Sequence, residues 1–159
     1  MNRMRNALSA TALLGLAACT TLTEERSPAN PQAVVGQRVA MMKTFGGALG
    51  AATNQTQGKA TAAAARKNIA AARAQLEGAP SLFPRGTALG DRGVTKSRAL
   101  STIFLNRSDF EAKFDALAGR FAELDAALAK NAKAETAKAV ADTRAACSAC
   151  HNKYRAPEE

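Results

Sequence analysis

The sequence KAETAKAVADTRAACSACHNKYR, from Lys133 to Arg155, decides both the fold and the chemistry of this 159-residue chain. It is rich in alanine and has few β-branched residues, which favours an α-helix. Within it, Cys147, Cys150 and His151 form a Cys-x-x-Cys-His pattern, which is typical of covalent attachment of a c-type haem. On a helix these three residues stand at positions i, i+3 and i+4, on one face. The two thiols can then bond the haem vinyl groups while His151 offers its imidazole to the iron as proximal axial ligand.

Two other interpretations of the same cysteines are open at this stage. A thioredoxin-like redox pair sits at the start of a helix that follows a strand, and residues 134–146 show no strand pattern. A structural zinc site needs four ligands, and the sequence has no second Cys/His pair. Attachment of one haem c per chain is therefore the preferred interpretation.

The remaining sequence indicates three further helices and an all-α fold, since aromatic residues are only 4% of the chain and alanine dominates. Asn30 and Pro31 mark the start of the first helix, which runs to about Thr53. The second helix spans roughly residues 59–76. A Ser-x-x-Glu capping box at residues 108–111 opens the third. The predicted apolar stripes are Val35, Arg38, Met42, Phe45 and Leu49 in the first helix and Phe110, Phe114, Leu117, Phe121, Leu124 and Leu128 in the third.

Helix-breaking residues concentrate between the second and third helices. Residues 78–106 contain two prolines and four glycines, which indicate a long connection rather than a helix. A connection of this length can cross from one end of a bundle to the other. We therefore expect residues 31–156 to form an antiparallel four-helix bundle with a long loop between helices 2 and 3.

The N-terminus has the pattern of an export signal. Residues 1–18 combine two arginines with a short apolar run, which is too short to span a bilayer. The run ends in Leu-Ala-Ala-Cys, which resembles the lipobox of bacterial lipoproteins and predicts lipidation of Cys19, with residues 19–30 as a linker. The alternative is a simple signal peptide, cut near Ala18, with Cys19 incidental. Either interpretation predicts a periplasmic protein.

Net charge narrows the class of partner. Removal of residues 1–18 leaves 20 basic against 13 acidic residues, a net charge of about +7. Such a balance can attract acidic proteins or anionic membranes. An exported protein without aromatics interleaved among its basic residues is not expected to bind nucleic acid. Most of these charges are expected to lie on solvated helix faces.

The end of the fourth helix resembles that of a known family. A bundle whose final helix ends in Cys-x-x-Cys-His-x-x-Tyr-Arg is similar to the cytochrome c′ family. The residues that carry this likeness are Cys147, Cys150, His151, Tyr154 and Arg155.

Two further segments resemble the low-spin branch of that family, cytochrome c-556. Residues 82–84, Leu-Phe-Pro, are similar to a segment between the second and third helices of that branch. Residues 38–43, Arg-Val-Ala-Met-Met-Lys, resemble the first-helix segment in which the branch places its distal methionine. The likeness covers about residues 32–155.

The residues of this chain limit the possible iron ligands. His151 is the only histidine, which excludes ligation by two histidines of one chain. The two N-terminal methionines lie in the predicted signal, so a thioether ligand can come only from Met41 or Met42. Adjacent helical residues point about 100° apart, so both cannot face the iron, and periodicity alone does not choose. The resemblance places the ligand four residues after Arg38 and thus implies Met42 as distal axial ligand. An open sixth position is the alternative.

Four further residues are candidates for roles around the haem. The resemblance implies that Arg38 pairs with a haem propionate, although a basic residue on a helix shoulder is often simply solvated. Phe45 and Tyr154 would pack against the haem. Arg155, one turn after His151, would act on the iron electrostatically.

These observations lead to a functional expectation. The chain is predicted to be a periplasmic one-electron carrier with His/Met ligation, exchanging electrons with redox partner proteins, held near a membrane by its lipid anchor, and not an enzyme. The alternative is a five-coordinate cytochrome c′-like protein that binds nitric oxide or carbon monoxide. A homodimer is neither required nor excluded.

Overall fold

A computed structural model describes residues 27–158 and contains four long helices that pack as a bundle. The long helices are α1 (Pro31–Thr56), α2 (Ala62–Leu76), α4 (Arg107–Ala129) and α5 (Lys133–Tyr154), and α3 (Thr102–Leu105) is a single turn in the long loop. α1 packs on α2 and α5, and α4 packs on the same two helices. The described residues contain no strand beyond one antiparallel bridge, between Ala99 and Arg155. The predicted all-α bundle with a long loop between its second and third long helices is confirmed.

The first two helices begin at side-chain caps. The Asn30 side chain accepts a hydrogen bond of 3.0 Å from the amide of Ala33, as expected. The Thr61 hydroxyl accepts one of 3.1 Å from the amide of Ala64. α2 therefore starts three residues later than predicted, because Gly58, with φ +73°, turns the chain before it.

The predicted capping box of the third long helix is wrong. α4 begins at Arg107, and its N-cap residue, Asn106, makes no side-chain capping hydrogen bond. Glu111 does not reach back to Ser108; its carboxylate accepts a 2.6 Å hydrogen bond from Arg107 Nε, one turn away. The sequence pattern placed the N-cap within two residues, at Ser108 instead of Asn106, but assigned the wrong contact.

The core lies between the predicted apolar faces. All six predicted stripe residues of α4 are buried, and the rings of Phe110 and Phe114 meet at 5.3 Å. α2 contributes Ala65, Ile69, Ala72 and Leu76, so small side chains let α1 approach closely. On α1 the buried stripe includes Met41, Ala48 and Ala52, which the sequence pattern did not place there.

The long loop is held by arginine side chains. Arg107 donates from Nη1 to the carbonyl of Phe83 and from Nη2 to the carbonyl of Pro80, both at 2.9 Å. At the other end of the loop, the amide of Leu100 donates to the carbonyl of Tyr154 at 2.9 Å. The loop is thus fixed against both α4 and α5.

The segment that precedes α1 lies against the same loop. A Cβ built on Gly86 would clash with the side chain of Ser27. In the first turn of α1, Gln32 Oε1 accepts a 2.9 Å hydrogen bond from the amide of Thr95 in the loop. The predicted signal at residues 1–18, Cys19 and most of the linker lie outside the described residues. Among residues 27–158, no helix has the length and apolarity needed to cross a membrane.

Candidate haem site

A cavity of about 560 Å³ opens between α1, α4, the end of α5 and the long loop. Its walls are mainly apolar, and this size and character suit a large, flat, mostly apolar cofactor. The apolar lining includes Val35, Val39, Phe45, Leu49, Phe83, Ile103, Phe110, Phe114 and Leu117.

The Cys-x-x-Cys-His motif forms one wall of this cavity. Cys147, Cys150 and His151 lie on the last two turns of α5, are all half-buried, and all line the cavity. The helix continues through the motif to Tyr154, so the three side chains share one face, as their spacing predicts. The structure therefore brings together the residues needed to attach a haem and to ligate its iron.

The electrostatics of these groups argue against a redox cysteine pair. Burial raises the pKa of the Cys147 thiol, and burial together with the neighbouring Cys147 raises that of Cys150 to about 11. Reactive redox cysteines have lowered pKa values, so the cysteines here have the opposite character. Burial, followed by the charges of Arg155 and Arg98, lowers the pKa of His151. His151 is thus kept neutral, which is the form that ligates a metal.

The zinc interpretation finds no support in the described part of the chain. Residues 27–158 contain no cluster of three or more histidine, cysteine and acidic side chains that could hold a metal ion. A structural zinc site needs four such ligands.

The two methionines of α1 take different positions. Met42 is half-buried and lines the cavity that the motif also lines. Met41 is 4% exposed and packs in the core, away from the cavity lining. Of the two candidate thioethers, only that of Met42 is therefore placed on the cavity.

Arg38 is buried, at 6% exposure, and its guanidinium serves the long loop. It donates from Nε to the Leu82 carbonyl at 3.0 Å and from Nη1 to the Thr87 carbonyl at 3.2 Å. Two further hydrogen bonds reach Ser97 Oγ at 3.1 Å and Thr87 Oγ1 at 2.5 Å. The sequence predicted a propionate as its partner, whereas these four hydrogen bonds engage most of its five N–H groups with the protein itself.

The charge of Arg38 nevertheless has no carboxylate partner among residues 27–158. Its partners are neutral oxygens, its guanidinium lies 4.2 Å from the centre of the Phe83 ring, and burial lowers its pKa to about 10. Since Arg38 lines the cavity, an anionic group bound there would supply the missing countercharge.

The other predicted pocket residues also border the cavity. Phe45 lines it and packs against Phe121, with the ring centres 6.0 Å apart. Tyr154 is 2% exposed and stacks edge-on against Phe110, with its hydroxyl turned to Asp109. Arg155 is exposed on the cavity mouth.

These residues fit a haem on three independent grounds. Two thiols and an imidazole share one wall, the remaining walls are apolar, and the buried Arg38 lacks a countercharge that a propionate carries. Cys147 and Cys150 would hold the porphyrin, and His151 would coordinate the iron. A four-helix bundle with such a cavity belongs to the class of bundle-type c-type haem proteins.

Comparison with known proteins defines this class further. The sequence profile described as Cytochrome C′ matches residues 33–155. The cytochrome c′ of Pararhodospirillum photometricum is 29% identical over 128 residues, which are 80% of this chain and 99% of that protein. The cytochrome c′ of Thermochromatium tepidum superposes with a TM-score of 0.71 at 28% identity, covering 84% of this chain and 99% of that one.

A third relative is a cytochrome c′ described as having an unusual ligand-controlled dimer dissociation, with 25% identity and a TM-score of 0.71. The match covers 82% of this chain and 100% of that one. The chain therefore belongs to the cytochrome c′ family. Its cofactor is a covalently attached haem c.

Sequence reasoning missed several residues that shape the site. Thr87 and Ser97 accept hydrogen bonds from Arg38, and Asp109 accepts one from Tyr154. Lys96 and Lys113 line the cavity mouth. None of these residues stands at a characteristic spacing from the motif, so no local signal distinguished them.

Proposed function

We propose that this protein is a periplasmic cytochrome c′ that binds nitric oxide or carbon monoxide at a ferrous haem. Membership of the cytochrome c′ family fits this function better than the electron carrier with His/Met ligation that the sequence favoured. The observation that carries it is the mainly apolar surface that α1 presents to the cavity, formed by Val35, Val39, Met42, Phe45, Gly46 and Leu49. Of the two polar α1 residues in the lining, Arg38 is hydrogen-bonded to the long loop and Lys43 is exposed at the mouth.

That mainly apolar surface determines which ligand the site would prefer. His151 would hold the iron of a bound haem, and that iron would supply a coordination position for one diatomic ligand. Bound dioxygen gains from a hydrogen-bond donor in the distal pocket, and the apolar residues of this surface offer none. Nitric oxide and carbon monoxide are less polar as bound ligands, and the same residues would exclude water from them. No substrate turnover is part of this proposal, so we do not class the protein as an enzyme.

The second candidate is the one-electron carrier of the low-spin, cytochrome c-556-like branch, and one specific observation favours it. Met42 lines the cavity, whereas Met41 packs in the core. If the Met42 thioether occupied the sixth position, it would leave no open site, and as a soft ligand it would favour the ferrous state.

The visible spectrum of the ferrous holoprotein, with and without carbon monoxide, separates the two candidates. A gas-binding protein is expected to be high-spin and to take up carbon monoxide within mixing time. A low-spin spectrum with slow uptake, converted to fast uptake by Met42→Ala, would instead establish the carrier. Met41→Leu is the matched control, because it changes a neighbouring thioether that does not reach the cavity.

We also propose that the protein is exported and lipidated at Cys19. Its family supports the periplasm, and the lipobox-like Leu-Ala-Ala-Cys sequence supports the lipid. Mass spectrometry of mature protein should show an acylated N-terminal cysteine, which Cys19→Ser abolishes. An unmodified mature N-terminus would contradict lipidation and would indicate a simple signal peptide that is cleaved on export.

The oligomeric state can be tested in the same preparation. Because one related cytochrome c′ is described as undergoing ligand-controlled dimer dissociation, we propose that this chain forms a homodimer. Sedimentation velocity of the ferrous holoprotein with and without carbon monoxide should show a dimer that shifts towards monomer. A monomer both with and without carbon monoxide would contradict the proposed homodimer.

A further inference from the structure

Every charged side chain that lines the cavity is a cation. Beyond the buried Arg38, the lining contains Lys43, Lys96, Arg98, Lys113 and Arg155, which we call the cationic rim. No aspartate or glutamate is among the lining residues. The walls of the cavity are thus apolar and its mouth is positive.

The rim residues come from different parts of the fold and therefore surround the mouth. Lys43 belongs to α1, Lys113 to α4, and Arg155 follows the end of α5. Lys96 and Arg98 belong to the loop before α3. Lys43, Lys96 and Arg155 are exposed, so their charges face solvent beside the opening.

Ion pairs neutralise only part of the rim. Arg98 pairs with Glu158 at 2.5 Å, and Lys113 pairs with Asp109 at 3.5 Å. Within residues 27–158, no carboxylate lies within ion-pair distance of Lys43, Lys96 or Arg155.

A bound haem would not neutralise the remainder. Among residues 27–158, Lys43, Lys96, Arg155 and the buried Arg38 have no carboxylate within ion-pair distance. The two propionates of a haem could pair with at most two of these four cations, so at least two would have no ion-pair partner in this part of the chain. Elsewhere on the bundle, some exposed cations are paired, as in Arg120 with Glu123 at 2.8 Å and Lys138 with Asp142 at 2.7 Å, and others, such as Lys59 and Lys67, have no ion pair among the described residues.

We propose that the cationic rim is the docking surface for an acidic electron-donor protein that reduces the haem. This inference rests on the haem protein identified above and applies to either candidate function, since nitric oxide and carbon monoxide bind the ferrous state and a carrier must also be reduced. One electron leaves the donor protein and is taken up at the ferric iron, which becomes ferrous. No bond is made or broken and no proton is required.

Charge complementarity is the physical reason for this partner. Charges of one sign around an apolar opening steer an oppositely charged protein and raise its association rate by about tenfold to a thousandfold at low salt. The exposed Val39, 42% accessible, also lines the cavity and adds apolar contact area at the mouth. An acidic protein surface with an apolar centre would match both features.

The test uses stopped-flow reduction of the ferric holoprotein by reduced flavodoxin, an acidic one-electron donor. The charge-reversal variant is Lys43→Glu/Lys96→Glu. The control is Lys59→Glu/Lys67→Glu, which makes the same charge change at two exposed lysines outside the cavity lining. At an ionic strength of about 0.01 M, the rim variant should be reduced at least about tenfold more slowly than the control. At about 1 M salt the two should agree.

A cationic reductant should reverse the difference in reduction rate between the rim variant and the control. Hexaammineruthenium(II) should reduce the rim variant faster than the control, because its repulsion from the rim is removed. Lys43→Gln/Lys96→Gln should give intermediate rates with both reductants. NMR titration with flavodoxin should shift amides near Lys43 and Lys96 in the wild-type protein, a readout that does not depend on electron transfer.

The possible failures are distinguishable. If dithionite does not reduce the holoprotein, the haem assignment itself fails. If dithionite reduces all variants alike but flavodoxin reduces the rim variant and the control at equal rates, the docking proposal is overturned. If flavodoxin rates are equal and only binding to phosphatidylglycerol vesicles is lost in the rim variant, the rim serves a membrane surface and the protein partner is excluded.

Discussion

The hydroxyl of Tyr154 donates a hydrogen bond of 2.5 Å to Oδ2 of Asp109 and so joins the end of α5 to the first turn of α4. The same carboxylate accepts from Lys153 at 2.9 Å and pairs with Lys113 at 3.5 Å. These contacts lower the pKa of Asp109 to about 2, with the Tyr154 hydrogen bond as the largest cause. The turn that carries the haem motif is therefore fixed by a charged hydrogen bond.

This contact predicts an acid-dependent loss of stability. Because the folded pKa of Asp109 lies below its ordinary value of 3.8, its contribution is fully present above about pH 4 and is lost as the pH falls through about 2. Tyr154→Phe removes the main cause of the shift, so the holoprotein should lose less unfolding free energy over that range. Urea unfolding at fixed ionic strength measures the difference. The same pH dependence in Tyr154→Phe as in wild type would contradict the assignment.

Arg38 should be a major support of the long loop. Arg38→Gln leaves the buried carbonyls of Leu82 and Thr87 without their donor and removes the contact with Phe83. We expect a loss of about 2–4 kcal/mol in unfolding free energy, together with faster proteolysis within residues 82–97. Arg38→Lys retains the charge but not the planar fork of donors, and its loss should be intermediate. Equal stability of Arg38→Lys and wild type would argue against the hydrogen bonds as the cause.

Two glycines should respond to alanine in opposite directions. Gly86 has φ +80° and lies against Ser27, so Gly86→Ala should cost about 1–2 kcal/mol. Gly47 lies inside α1 with open space around its Cα, so Gly47→Ala should stabilise by about 0.5–1 kcal/mol. Thermal unfolding of both holoproteins tests the pair. A stabilising Gly86→Ala would show that the segment before α1 does not pack against the loop.

Because Met41 packs in the core and Met42 lines the cavity, replacing each should affect a different property of the holoprotein. Met41→Ala opens space in the core and should cost about 3 kcal/mol, while the visible spectrum of the ferrous holoprotein stays unchanged. Met42→Ala removes a half-buried side chain and should cost less stability. A spectral change in Met41→Ala would reverse the assignment of the two side chains.

The helices could be predicted from sequence because their signals are local. The Asn30 cap, the apolar repeat of α4 and the alanine-rich segment of α5 each lie within a few turns, and the segment from Lys133 that favours a helix forms α5 as far as Tyr154. The haem motif was equally local. Its three residues need only one helix to share a face.

The rest of the site depends on contacts between distant residues. Arg38 donates to carbonyl groups 44 and 49 residues away. Every residue has a backbone carbonyl, so the sequence does not indicate which of them accept these hydrogen bonds. Arg107 holds the loop in the same way. Periodicity could not choose between Met41 and Met42, because the bundle packs against α1 on more than one side. Met41 is buried in the core and Met42 is half-buried on the cavity.

The cavity wall has a consequence for the order in which the protein matures. Two of its faces come from residues 35–49 of α1 and residues 146–155 at the end of α5, about a hundred positions later in the chain. An exported chain that emerges N-terminus first could pack α1, α2 and α4 before the cysteines follow. The attachment machinery would then meet the motif beside a wall that is already built, and the porphyrin would be enclosed as the final helix docks.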